Sequence, residues 1–452
     1  MGSPHRYIPN TEADARAMLE AIGAGAVDDL FADIPPEFRL DRPLAMPAAL
    51  TEAELMSEVA RLASRCVDAD EYACYLGAGI YDHYIPSVVD HLISRGEFYT
   101  AYTPYQAEVS QGTLQAIFEY QTMISELTGM EVSNASMYDA GTGTAEAAIM
   151  ACASTRRNKV LVSRAVNPRY RQVLQTYAAP RGINVVEVDF CKRRGITPVS
   201  RVTTDLAADA ACLIVQSPNY FGVVEEMEQL GAAVHAAGGL FAAIVNPISL
   251  GILAPPGSYG ADIAVGEGQP MGIPMSFGGP LLGFFATTGK LMRKMPGRLV
   301  GQTVDSSGRR GFVLTLQARE QHIRRESATS NICSNEALCA LASTIYMSLM
   351  GPAGLRKVAE TCLYRAHYLR DRMESIAGFA IPLSGPFFNE FVVRSSVCAD
   401  DMNEELLAAG IIGGKSIECE YPELSGCTLW AVTERRTREQ LDTLIRELEV
   451  LA

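Results

Sequence analysis

The chain reads as an α/β protein: a large domain on a mostly parallel sheet, then a smaller C-terminal α+β domain. Three observations predict this. Between about residues 130 and 290, short apolar segments of strand length alternate with helical stretches, the pattern of a parallel sheet covered on both faces. After about residue 335 that alternation gives way to long helical runs and two separated strands. At 452 residues the chain exceeds one ordinary domain, and 48% apolar against 20% charged residues supply a large core. The expected boundaries are an N-terminal arm with helices over 1–65, the large domain over 66–335 and the small domain over 336–452.

In chain order, Thr11-Glu12-Ala13-Asp14 has the form of a capping box, opening a helix with Met18, Leu19 and Ile22 on one side that stops at Gly23. Pro35-Pro36, Pro43 and Pro47 then break regular structure. Residues 51–65 read as a second helix with the stripe Leu55, Met56, Val59 and Leu62. The apolar residues of such an arm need a surface, either a neighbouring subunit or the chain's own core. A strong helix runs over 112–128, where Leu114, Ile117, Phe118, Ile124 and Leu127 fall at helical spacing before Gly129 as C-cap. Strands are expected at Lys159–Ser163, Asn184–Val188, Ala211–Gln216, Leu240–Val245, Asp262–Val265 and Leu282–Ala286. Helices such as Pro168–Ala178 and Met227–Ala237 lie between them. Further on, a helix from Glu336 to Met350 is broken by Gly351-Pro352, and another spans about Gly354–Ile376. Strands Asn389–Arg394 and Thr428–Val432 follow, with helices around Met402–Ala409 and Thr437–Leu451.

Composition narrows the function. A formal net charge of −14 argues against a nucleic-acid partner. No run of about 18 uninterrupted apolar residues occurs, so no membrane span is expected, and the N-terminus lacks the apolar core of a signal peptide. Eleven cysteines, an odd number without a Cys-x-x-Cys pair, read as buried free thiols in a reducing cytoplasm. The six histidines are isolated, and no metal site is expected.

Three motifs carry chemistry. Ala140–Ala147 stands ahead of a helix. It reads either as a phosphate cradle, with the amides of Gly141 and Gly143 and the hydroxyls of Thr142 and Thr144 around an anion, or as a tight turn with a threonine N-cap. Its place before the alternating region supports the cradle, because open sheets bind ligands at strand C-terminal ends. Tyr99–Gln106 packs Tyr99, Tyr102 and Tyr105 into one loop. Their rings and hydroxyls suit either a carboxylate or phosphate ligand or a subunit interface. Arg319–Glu326 is a dense mixed-charge run, either a solvated helix face or a set of Arg and His side chains converging on an anion. The small polar segment Ala328–Cys333 after it suits a hinge.

Residues 261–285 lead from an apolar strand through a Gly/Pro-rich turn into a second strand. They resemble the segment of aminotransferase-type pyridoxal-phosphate (PLP) enzymes that carries the Schiff-base lysine. Here Gln269 stands in its place, and an amide cannot form the Schiff base. Across nearly the whole chain the motifs resemble one family, the glycine decarboxylase or P-protein of the glycine cleavage system. They are Arg6–Thr11, Tyr99–Gln106, Glu108–Gly112, Phe118–Met123, Asn134–Ser136, Pro274–Pro280, Met295–Arg298, Arg319–Arg325 and Ala328–Cys333. The tyrosine block and the stretch 295–333 are the most specific of these.

The resemblance implies a PLP-dependent transferase fold, aminotransferase class I-like. The length and the missing lysine imply the α subunit, or subunit 1, of the two-subunit form. PLP is then held by a lysine-bearing β subunit rather than by this chain. The chain's own site is vestigial: Gln269 replaces the lysine, the strand end Phe241–Asn246 lacks the aspartate for the ring nitrogen, and Gly141, Thr142, Gly143 and Thr144 remain as a vestigial phosphate turn. The implied activity is glycine dehydrogenase (aminomethyl-transferring, decarboxylating): glycine loses CO2 and its aminomethyl group passes to the lipoyl arm of the H-protein. The implied assembly is a cytoplasmic α2β2 heterotetramer, this chain being inactive alone. Tyr102, Tyr105 and Gln106 are the candidates contributed to the partner's site. Two other readings stand beside this one. One is a non-catalytic regulatory or scaffolding subunit. The other is a lone PLP enzyme using one of Lys159, Lys192, Lys290, Lys294, Lys357 or Lys415, none of which lies in the expected turn.

Overall fold

Strands organise the chain from Ala73 onward. The computed structural model describes residues 7–40, 42–332 and 334–452; Arg6, which opens one sequence motif, and Cys333, which closes another, lie outside the described residues. In chain order the strands are β1 (Ala73–Cys74), β2 (Val132–Ser133), β3 (Lys159–Ser163), β4 (Asn184–Val188), β5 (Ala210–Ser217), β6 (Leu240–Val245), β7 (Ile263–Glu267) and β8 (Gly283–Thr287). They continue with β9 (Leu299–Val304), β10 (Arg310–Thr315), β11 (Phe379–Ala380), β12 (Glu390–Ser395), β13 (Ile411–Ile412), β14 (Lys415–Ser416) and β15 (Cys427–Ala431). The large sheet has the order β2-β8-β7-β6-β5-β3-β4. Strands β4, β3, β5, β6 and β7 pair in parallel, and β8 is antiparallel to both its neighbours. This is the mostly parallel sheet that the alternating pattern predicts.

Both faces of the sheet are covered. On β5, Leu213 and Val215 join the apolar layer under the helices Gln111–Thr128 and Met227–Ala236, while Cys212 and Ile214 join the layer under the helices Ala140–Thr155 and Pro168–Ala178. That is the two-residue period of a strand buried on both sides. The helix ends are chemically specified. Gly129 closes the first helix at φ +67°, a left-handed conformation that favours glycine.

The chain divides into two compact units, one ending at Cys66 and one running from Val67 to Ala452. In the first, Thr11 caps Glu12–Ile22 and Thr51 caps Glu52–Ala63, each with a complete capping box, and Gly23 ends the first helix at φ +76°. Neither helix buries a residue, so the stripe Leu55, Met56, Val59 and Leu62 is exposed.

In the second unit the helix Ala337–Glu374 joins two cores. Gly351 (φ +58°, ψ −179°) breaks it ahead of Pro352, as the Gly-Pro pair predicts. Before the break, Tyr346 and Met347 pack into the large-sheet core; after it, Ala366, Leu369 and Met373 pack with Phe391 and Trp430 of the small sheet β11-β12-β15-β14. An 18-residue window of this helix reaches a mean hydropathy of 1.4, enough for a membrane by length and composition. Here those apolar residues serve the two cores. The sequence does not announce the hairpin β9–β10, although Asp305-Ser306-Ser307-Gly308 is a turn signal, because the second half of β9, Gln302-Thr303-Val304, is exposed and mostly polar. Every cysteine among the described residues is unpaired, but Cys66, Cys398 and Cys419 are exposed rather than buried as expected.

The turn after β5 fastens the large sheet to the small one. Phe388 N donates to Gly222 O at 3.0 Å, Gly222 has φ +79°, and a Cβ there would stand 1.9 Å from Glu390 O. Gly222→Ala is therefore expected to destabilise the chain by more than about 2 kcal/mol in denaturant unfolding. An unchanged midpoint at unchanged slope would show that the turn relaxes freely.

Candidate functional site

Strand β7 ends at Glu267, and the next turn places Gln269 in the interior, 1% exposed. Its side-chain amide pairs with a peptide unit. Nε2 donates to Tyr81 O at 3.0 Å and to Ile273 O at 2.7 Å, while Oε1 accepts from Tyr81 N at 2.9 Å. A lysine ammonium has donors but no acceptor for the Tyr81 N–H. Gln269 thus acts as a strut between the segment around Tyr81 and the turn after β7. On β6 the buried Ala243 offers no acidic group, and Asn246 Oδ1 accepts from Ile248 N at 2.9 Å to begin the next turn.

The Gly-Thr segment does not stand ahead of a helix: it is the first turn of the helix Ala140–Thr155. The cap is Asp139, not a threonine, and its Oδ1 accepts from Thr142 N at 2.7 Å. Thr142 Oγ1 accepts from Asp139 N at 3.2 Å, and Thr144 Oγ1 donates back to Ala140 O at 2.7 Å. Both hydroxyls are used inside the chain. The buried Glu267 completes the arrangement. Its Oε2 accepts from Ala140 N at 3.1 Å, and its Oε1 accepts from Gln269 N at 3.2 Å and Leu282 N at 2.9 Å. Burial pushes the Glu267 carboxyl up to about 7, against the pull of those three amides. With no lysine, no aspartate on β6 and these amides already bonded to carboxylates, the residues present do not fit PLP.

Two more carboxylates frame the region, Glu390 buried and Glu434 half-buried. Glu390 accepts from Tyr81 Oη and from Ala78 N, both at 2.6 Å, and burial raises it to about 7. Glu434 Oε2 lies 2.6 Å from His83 Nδ1 and accepts from Cys362 Sγ at 3.4 Å. Burial alone would raise Glu434; the charge and hydrogen bond of His83 hold it down at about 2. His83, Cys362 and Glu434 bring three potential metal ligands within 4.8 Å of one another. Local spacing cannot reveal such a group, because its members lie far apart in the chain. As placed, these atoms bond to each other, and burial holds the Cys362 thiol far above its ordinary range, whereas metals take the thiolate. A cavity of about 490 Å³ lined by Tyr81, His83, Gln269, Ile273, Met275 and Phe277 opens beside them.

The tyrosine loop forms a second centre, anchored by the buried Pro104. Tyr105 Oη accepts from Arg298 Nη2 at 3.0 Å, and the guanidinium lies 5.4 Å from the ring centroid. His322 meets the same ring edge-on at 6.3 Å. Arg298 is 3% exposed, lies 3.7 Å from Glu320 and donates to Ser334 Oγ at 3.1 Å. His322 Nδ1 lies 3.5 Å from that same Glu320 oxygen. The fold therefore joins Tyr99–Gln106, Met295–Arg298 and Arg319–Arg325, three motifs read separately in the sequence. The last is solvated and helical over 321–327, as one reading of the sequence expects, but Glu320 at its start is buried. Gln321–Arg324 makes an α-helical turn between two 3-10 turns, Arg319 donates to Gly297 O at 2.9 Å and to Met295 O, and the anion on which Arg298 and His322 converge is the chain's own Glu320. Gln106 is exposed at the start of a short turn, and Tyr102, 77% exposed, lines a groove with Phe98 and Leu338. Sequence reading missed Glu267, Glu320 and Glu390 as site residues. Glu267 had a signal, a lone carboxylate between glycines at the end of a buried strand.

Distant solved structures define the class of this fold. A sphingosine-1-phosphate lyase of Burkholderia pseudomallei superposes with a TM-score of 0.65 at 12% identity, covering 91% of this chain and 92% of that one. The fold is that of the PLP-dependent transferases. Nearer relatives are more specific. The family model described as glycine cleavage system P-protein matches residues 5–448. A solved glycine decarboxylase (P-protein) of the glycine cleavage system, in inhibitor-bound form, is 44% identical with a TM-score of 0.90, covering 99% of this chain and 100% of that one. The probable glycine dehydrogenase (decarboxylating) subunit 1 of Anoxybacillus flavithermus is 53% identical over 444 residues, 98% of each chain. The chain belongs to the glycine cleavage system P-protein family.

Two outcomes follow from the buried groups. Gln269→Leu leaves the Tyr81 N–H and two carbonyls unpaired in the interior and should cost about 3 kcal/mol in denaturant unfolding; a loss under about 0.5 kcal/mol would remove the strut role. Glu390 rises from 4.5 to about 7 on folding. Its contribution is fully present below pH 4.5 and is lost as pH rises through 7, with a slope of up to about 1.4 kcal/mol per pH unit. Stability of the wild type relative to Glu390→Gln should fall across that window, and parallel pH profiles would contradict it.

Proposed function

We propose that this chain is the α subunit, subunit 1, of a two-subunit glycine dehydrogenase (decarboxylating). A lysine-bearing β subunit holds PLP, which when bound supplies the electron sink for glycine decarboxylation. The aminomethyl group leaves on the lipoyl arm of an H-protein, and the assembly is a cytoplasmic α2β2 heterotetramer. The observation that carries this reading is a complete P-protein fold whose Gln269 amide is locked between Tyr81 and Ile273. Such a chain needs a second one to hold the cofactor. The exposed arm stripe and the exposed Tyr99, Tyr102 and Phe277 supply apolar surface for that contact. This chain orients its tyrosine loop toward the partner and closes the pocket against water. Arg298, fixed by Glu320 and Ser334, sets the direction of the Tyr105 hydroxyl.

The purified chain should not exchange the glycine carboxyl carbon with bicarbonate, and should restore exchange when mixed with the β subunit and lipoyl H-protein. Exchange by the chain alone, or full exchange by the β subunit without it, would refute the assignment. Tyr102→Phe and Tyr105→Phe should assemble normally yet lose about ten- to a hundred-fold in rate, the equivalent of a charge-assisted hydrogen bond of about 1.5–3 kcal/mol. Unchanged rates in both variants would confine the loop to packing.

A further inference from the structure

We infer that the Glu267 carboxyl group is a built-in acceptor standing where this fold would otherwise seat a phosphate, and that this group, more than the missing lysine, closes the chain to PLP. The inference deepens the reading above and rests on it for the fold position.

The helix Ala140–Thr155 is long enough to carry a positive N-terminal end with free amides, the usual seat of an anion in an open sheet. Two of those amides are already bonded to carboxylates: Thr142 N to Asp139, and Ala140 N to Glu267. Glu267 also collects Gln269 N from the turn after β7 and Leu282 N from the entry to β8. One carboxylate thus ties together three backbone segments that meet at the strand ends. All three hydrogen bonds are donated to it, which is how an anion is bound. The surrounding backbone leaves little slack. A Cβ on Gly283 would meet Asp139 O at 2.4 Å, so β8 presses directly on the start of the helix. The cavity beside Gln269 is lined by Tyr81, Gln269 and Ile273, and its walls do not include Glu267, Ala140 or Gly141.

Removing the carboxylate should therefore create an anion site, whereas adding a lysine alone should not create a cofactor site. The test uses the full-length wild type and the variants Gln269→Lys, Glu267→Ala, Glu267→Asp and Glu267→Ala/Gln269→Lys. Inorganic phosphate binding is measured by calorimetry, and PLP attachment by borohydride reduction and peptide mapping. Glu267→Ala should bind inorganic phosphate at least about ten-fold more tightly than the wild type, and the double variant should exceed Gln269→Lys in labelling at position 269 by at least about ten-fold, the scale of charge-assisted hydrogen bonds. Glu267→Asp, which keeps a carboxylate, should stay closed. Where Glu267→Ala folds poorly, phosphate should raise its refolding yield and leave that of the wild type unchanged. Labelling of Gln269→Lys as complete as that of the double variant, or no phosphate effect on Glu267→Ala in either binding or refolding, would overturn the inference while leaving the assignment of PLP to the partner intact. PLP bound by the wild type itself would overturn both.

Discussion

The C-terminal edge of a parallel sheet gathers backbone N–H groups that no strand can satisfy, together with the positive ends of the helices that follow. That unmet demand is the constraint on which this protein turns. Glu267 accepts from Ala140, Gln269 and Leu282, Asp139 accepts from Thr142, and Gln269 pairs with Tyr81 and Ile273. Together they hold the strand ends, the first helical turn and the segment around Tyr81 in one arrangement. Orphaned buried donors are costly, so a chain that meets them internally has no need of a bound cofactor to complete its fold.

A second polar constellation, apart from the strand ends, is the Tyr105, Arg298, Glu320 and His322 knot. A buried arginine is costly without a carboxylate close by, and Glu320 supplies one 3.7 Å from Arg298. Here Arg298 fixes the Tyr105 hydroxyl within an exposed loop. The kinked helix Ala337–Glu374 also fixes the structure, because its two halves lock the large and small sheets together.

Much of the fold was legible in the sequence. Strands β3, β4 and β6 are apolar runs bounded by polar residues, and the caps at Thr11, Thr51 and Gly129 are local chemistry, so short-range reasoning reaches them. The missing lysine was legible too, through the frame shared with the family. What could not be read was who satisfies whom. Glu267 takes its partners from positions 140, 269 and 282, and His83 meets Glu434 across most of the chain. The Gly-Thr segment was placed before its helix because Asp139 with Thr142 lacks the Glu or Gln third residue of the usual capping-box signature. The Arg319–Glu326 run advertises charge but not burial, and only the fold shows that Glu320 is interior.

On the proposed assignment, PLP resides outside this chain. The direct measurement is the near-ultraviolet and visible absorption of the purified chain incubated with PLP, recorded before and after addition of the lysine-bearing subunit. The proposed assignment predicts the spectrum of free PLP with the chain alone and a Schiff-base band once the partner is present. A Schiff-base band from the chain alone, trapped by borohydride on one of its own lysines, would contradict it.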